Sequence, residues 1–151
     1  MFVGLMATSV LVACSKDDDP EPVPTSTQKL VGTWVTTAVT VEPAKMHNGT
    51  PVTDWYSTWD PCDKDDKWTF IYDGNYEFNN GPLKCQPLNE QIQRGKWQLN
   101  ADETILTLTD SVINLPEDRT IKQLYSREII VEYSEFDNKV LYIFNETLTK
   151  Q

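Results

Sequence analysis

The feature that most constrains the fold is a succession of short runs rich in β-branched and aromatic residues, set at hairpin spacing, with helical periodicity nearly absent. Leu30 to Val41 reads as one long or bent strand, because Val and Thr dominate a dozen residues. Lys67 to Tyr72 and Asn75 to Asn79 flank Asp73-Gly74, a pair that supplies both positive-φ positions of a two-residue type I′ turn. Ile92 to Leu99 and Thr104 to Thr109 flank the polar turn Asn100 to Glu103. Thr120 to Tyr125, Glu128 to Tyr133 and Lys139 to Asn145 complete the set, with Ser126-Arg127 and Ser134 to Asn138 as turns. Leu106 and Leu108 alternate with Thr107 and Thr109, so that strand has one apolar and one polar face. About eight short antiparallel strands favour an all-β, closed up-and-down barrel, because closure removes exposed sheet edges.

One connection breaks the hairpin rhythm. Pro43 to Asp66 is longer than an ordinary loop and is therefore functional or carries structure of its own. Thr53 is placed to cap a short helix through Asp54 to Trp59, ended by Pro61, which makes the segment a lid or plug at one mouth of the barrel. Its aromatics Trp55, Tyr56 and Trp59 must bury somewhere: they either cap the core or face a small ligand. Trp34 and Trp97 each follow a glycine by two residues, Gly32 and Gly95, as close packing of an indole at a barrel end requires, and these four are assigned to the core.

Few signs of chemistry accompany this frame. Asp60, Asp63, Asp65 and Asp66 lack the glycine and the terminal bidentate glutamate of an EF-hand loop, and Lys64 and Lys67 neutralise them locally, so they read as a solvated loop. His47, beside Asn48-Gly49, reads as an exposed turn. The lone histidine and the absence of a CxxC pair leave Cys62 and Cys85 without a tetrahedral metal set. There is no nucleophile elbow, phosphate loop or paired-histidine motif, so no metal, cofactor or enzymatic reaction is expected. The formal charge of −10, with no basic stripe, argues against nucleic acid as a partner.

The N-terminus supplies an address. Met1 to Ala13 is an apolar run too short to cross a bilayer as a helix, and it ends in Leu11-Val12-Ala13-Cys14. This resembles a bacterial lipoprotein signal, which implies cleavage before Cys14, lipidation of Cys14 and stable membrane attachment through more than one acyl chain. The run lacks the basic residues that open such signals, which places the expected start codon slightly upstream. Cys14-Ser15-Lys16-Asp17-Asp18 resembles the export signal of surface lipoproteins of Bacteroidetes, implying an outer-membrane protein exposed at the cell surface. The polar, proline-rich stretch to Thr27 reads as a disordered tether, giving three regions: signal peptide 1–13, lipidated tether 14–27 and one folded domain 28–151. In that oxidising compartment Cys62 and Cys85 remain as an even pair and are expected to form a disulfide, contributing about 3 kcal/mol for a loop of roughly 24 residues.

Gly32-Thr33-Trp34 resembles the Gly-x-Trp opening of lipocalins. Together with the lipobox, Cys62 to Phe70, Asp73 to Tyr76, Cys85 and Gly95 to Leu99, the chain resembles lipocalin-like lipoproteins of Bacteroidetes over roughly Leu30 to Thr149. That resemblance implies an eight-stranded barrel, no cofactor and no assigned reaction. The Asp110-Ser111-Val112 triplet resembles the O-glycosylation site of the same bacteria. Two functions are compatible with these residues: a surface protein that binds a small hydrophobic or amphipathic molecule, and a filled, non-enzymatic module that engages an envelope or host protein.

Overall fold

The strand pattern closes on itself. The computed structural model describes residues 25–88 and 90–151. In chain order these form α1 (Ser26–Leu30), β1 (Gly32–His47), β2 (Thr50–Asp54), a 3₁₀ turn (Trp55–Thr58), α2 (Pro61–Lys64), β3 (Lys67–Phe70), β4 (Asn75–Asn79), β5 (Ile92–Leu99), β6 (Ile105–Asp110), β7 (Pro116–Leu124), β8 (Glu128–Asp137) and β9 (Val140–Lys150). Strands β3 to β9 pair antiparallel in sequence order, and β1 pairs with β3 on one edge and β9 on the other. The result is the closed eight-stranded antiparallel up-and-down barrel, with β2 as an extra strand folded back on the outer half of β1. Cys14, the signal segment and the tether up to residue 24 lie outside the described residues. Gln28, expected to open the domain, sits inside α1: the Thr25 hydroxyl accepts from the Gln28 amide and the Gln28 side chain accepts from the Thr25 amide, a reciprocal cap.

The long first connection is partly strand. β1 continues past Val41 through a cis Glu42–Pro43 peptide, in a stretch where the register against β2 shifts between Thr40 and Lys45. An irregular stretch is where a strand tolerates a residue with no N–H to donate. Asn48 and Gly49, at φ 50° and 82°, then form a tight two-residue turn that pairs His47 with Thr50. The expected helix is also reduced. A single 3₁₀ turn is capped by Asp54, not Thr53, through its carboxylate to the Ser57 amide at 3.2 Å, and a second short helix, α2, follows at Pro61.

Two other turns differ from expectation. At Asp73-Gly74 only the glycine has positive φ, 81°, and the Gly74 amide donates to the Ile71 carbonyl at 3.1 Å, so the loop is a four-residue turn. A second two-residue turn with both central residues at positive φ, like that at Asn48-Gly49, falls at Asn138 and Lys139, which extends β8 to Asp137 and starts β9 at Val140.

Two clusters fill the interior differently. At the end of the barrel that carries α1, Leu30, Trp34, Phe70, Tyr76, Trp97, Leu106, Leu108, Ile129, Val131 and Leu148 form a continuous buried core. The Trp34 indole N–H donates to the Leu30 carbonyl at 2.7 Å and that of Trp97 to the Ile71 carbonyl at 3.0 Å, so both rings are buried without an unpaired donor. Gly95 lies against the Tyr76 ring and the Thr109 carbonyl, where a Cβ has no room. Toward the opposite mouth, Val39, Val41 and Phe144 form a smaller cluster overlaid by the lid aromatics.

Candidate functional site in the upper barrel

The inward-facing residues change character along the barrel axis. On β9 the inward series runs Leu148, Glu146, Phe144, and on β8 Ile129, Val131, Tyr133, so the apolar lower half gives way to polar groups above. Arg119 of β7 projects into the same level. Its Nη1 donates to Glu146 Oε2 at 2.6 Å, while the Thr36 hydroxyl of β1 donates to Glu146 Oε1 at 2.6 Å. Arg119 Nη2 stands 3.8 Å from Glu117 Oε2, and its guanidinium lies 5.4 Å from the Trp68 ring and 5.0 Å from the Tyr133 ring. A charge-assisted chain of this kind holds the guanidinium rigidly in place.

Above this floor is a cavity of about 330 Å³, lined by Thr36, Trp68, Phe78, Arg119, Tyr133 and Glu146 from the barrel and by Trp59, Asp63 and Asp66 from the lid. Below it the space between Phe70, Leu106, Leu108, Ile129, Val131 and Leu148 holds only about 10 Å³. The barrel is therefore packed in its lower half and open in its upper half. Burial pushes the Tyr133 hydroxyl well above the usual tyrosine range, with the Glu146 charge acting in the same sense, so it stays protonated as a hydrogen-bonding group.

The lid is built on the disulfide. Cys62 of α2 is bonded to Cys85 in the connection between β4 and β5, with a Cα–Cα distance of 5.2 Å, which ties α2 to the barrel rim. Asp65 Oδ2 accepts from the Leu83 amide at 2.9 Å and fixes the same junction. The acidic run is solvated, as its composition suggests, only at Asp60: Asp63, Asp65 and Asp66 are half-buried, and Asp65 Oδ1 and Asp66 Oδ1 are buried without a partner. Burial, reinforced by the neighbouring Asp65 and Asp63 charges, raises the Asp66 carboxyl to about 6.

All three lid aromatics, Trp55, Tyr56 and Trp59, pack on the Val39, Val41 and Phe144 cluster, and Trp59 also reaches the cavity. Trp55 meets Phe144 edge-on at 6.2 Å and the ring of His47 at 5.9 Å. Lys45, paired with Glu135 at 3.0 Å, places its ammonium within 5.4 Å of the Trp55, Tyr142 and Phe144 rings and seals that side. His47, read as an exposed turn, is half-buried against Trp55. Gly32, Trp34, Gly95 and Trp97 all lie in or beside the filled lower half, away from the cavity. Arg119, Glu146, Thr36 and Trp68, which define the cavity floor and wall, carried no assignment from sequence.

Fold and site together define a small, closed eight-stranded antiparallel barrel with a lidded cavity in its upper half. The chain belongs to the family described as Domain of unknown function (DUF5004), whose model matches residues 11–145. No curated protein matches it in sequence. Similar solved structures include bovine odorant binding protein in complex with a selenium-containing odorant, 12% identical over 88% of this chain and 77% of that one, with a TM-score of 0.44. A deswapped triple mutant of bovine odorant binding protein is 13% identical over 82% of this chain and 74% of that one, also with a TM-score of 0.44. The barrel assignment itself rests on the strand pairing.

Proposed function

We propose that this chain is a lipid-anchored binding protein of the outer membrane, exposed at the cell surface, that holds a small amphipathic molecule in the upper half of its barrel. The observation that carries the binding role is the cavity of about 330 Å³ beneath the disulfide-tied lid, with aromatic walls and a fixed polar floor. The polar groups of the floor hold one another, with the Thr36 hydroxyl and the Arg119 guanidinium both bonded to Glu146, and the reading is of a binder rather than an enzyme. Anchoring through Cys14 is supported by the Leu11-Val12-Ala13-Cys14 box and the acidic residues after it, and the family match begins within that box.

The test is a thermal-shift screen of the full chain against single-ring amphipathic molecules, repeated with Phe78→Trp to fill the cavity. A ligand at a hundred times its Kd stabilises by about 2.7 kcal/mol, which is several degrees for a domain of this size. Stabilisation of the parent and its loss in the filled variant are expected. The absence of stabilisation by any compound, in a variant-independent way, contradicts the binding reading. Globomycin-sensitive incorporation of labelled palmitate, lost in Cys14→Ala, tests the anchor separately.

A second reading, a protein-interaction module, is favoured by the tip between β6 and β7, where Val112, Ile113 and Leu115 are largely exposed. Specific capture of one envelope or host protein, lost on changing Val112 and Ile113 to Ser, supports it.

A further inference from the structure

The cavity is charged unevenly, and the imbalance identifies what it accepts. Three carboxylates, Asp63, Asp66 and Glu146, line it against one guanidinium, Arg119. That guanidinium is already committed: Nη1 is bonded to Glu146, Nη2 faces Glu117, and the Trp68 and Tyr133 rings lie close to it. Its Nε–H is buried and without a partner. An incoming anion would meet Asp63, Asp66 and Glu146 with no uncompensated cation to receive it. A cation meets the opposite situation. Asp66 Oδ1 is buried with no hydrogen-bond partner, the Trp59, Trp68, Phe78 and Tyr133 side chains line the same space, and the whole chain carries a formal charge of −10.

We infer that the occupant of this cavity is a small amphipathic amine, with its ammonium directed at Asp66 and Asp63 of the lid and its apolar body against the Trp59, Trp68 and Phe78 rings. This rests on the small-molecule reading proposed above and narrows it. The size agrees: about 330 Å³ is at the small end of the roughly 300–1,000 Å³ typical of ligand sites, which suits a single-ring compound rather than a long acyl chain. The lid supplies Asp63, Asp66 and Trp59 and the barrel supplies Trp68 and Phe78, so the occupant bridges lid and barrel.

The experiment is isothermal titration of the full chain with three probes of nearly one shape: 2-phenylethylamine, 2-phenylethanol and 3-phenylpropionate, near neutral pH and at low salt. The amine is expected to bind at least about tenfold more tightly than the alcohol, the carboxylate more weakly than either, and the amine alone to lose affinity as salt is raised. Asp66→Asn is expected to remove most of the amine's advantage while leaving the alcohol's affinity unchanged. Asp63→Asn is expected to do so in part, and it serves if the first variant fails to fold. Alcohol or carboxylate binding as tightly as the amine overturns the amine assignment and leaves the small-molecule reading intact. Failure of all three probes to bind overturns both.

Discussion

Arg119 and Glu146 meet inside the barrel at 2.6 Å from strands that are not neighbours, since β8 lies between β7 and β9. The pair therefore spans Tyr133 of β8 and ties three strands together at the level where the apolar core stops. Removing one partner leaves a mostly buried charge: the side chains are 14% and 6% exposed. Glu146→Ala is expected to cost about 2–4 kcal/mol in urea unfolding, tempered by the adjoining cavity. The double change Arg119→Met with Glu146→Leu should recover most of that loss, because a paired charge and an apolar pair are near-equivalent in stability.

How the lower half is packed sets a second expectation. Gly95→Ala forces a methyl against the Tyr76 ring and the Thr109 carbonyl, an overpacking that should cost about 1–3 kcal/mol. Trp34→Phe should cost about 2–3 kcal/mol, since it removes both buried surface and the donor to the Leu30 carbonyl. Neither change touches the cavity, so ligand affinity measured on the folded fraction should stay within twofold of the parent, roughly 0.4 kcal/mol.

The disulfide links stability to the lid. Replacing Cys62 and Cys85 by Ser should lower stability by about 3 kcal/mol on loop-entropy grounds. It should also weaken ligand binding, because Asp63 and Asp66 reach the cavity only while α2 is held at the rim. Calorimetric titration of the reduced-type variant against the parent measures the second effect directly.

Asp66 gives the molecule a pH dependence with a defined sign. Its carboxyl is raised from 3.8 to about 6 by burial and by Asp65 and Asp63, with Arg119 and Glu146 facing the same cavity from the barrel. The folded chain therefore takes up this proton at higher pH than the unfolded chain. The group's contribution to stability is most favourable below about pH 4 and declines as pH rises to about 6, then levels off. Asp66→Asn should remove that slope from urea midpoints measured across the range and should stabilise the protein at neutral pH.

Much of the barrel was legible in the residues, and the misses have identifiable causes. The alternation in β6 placed Leu106 and Leu108 inside, and both are buried. The β1–β2 hairpin was obscured because Pro43 reads as a strand terminator, although Asn48-Gly49 carries the signal of a tight turn. Arg119 was missed because Pro116-Glu117-Asp118-Arg119 has the composition of a loop, and the strand was expected to begin at Thr120. A usable signal existed for its partner: Glu146 stands two residues from both Phe144 and Leu148, so strand parity points its carboxylate inward. The lid carboxylates were read as solvated because sequence shows local neutralisation by lysine but not the disulfide geometry that draws α2 over the mouth.

The central claim, that the upper half of the barrel takes a ligand while the lower half is solid, is tested most directly by the indole N–H resonances of the five tryptophans in ¹⁵N-labelled protein titrated with 2-phenylethylamine. The account predicts that Trp59 and Trp68 shift progressively to saturation, Trp55 moves slightly with the lid, and Trp34 and Trp97 remain fixed. Unmoved Trp59 and Trp68 signals across a titration that shifts Trp34 or Trp97, or no shift at any tryptophan, would contradict it.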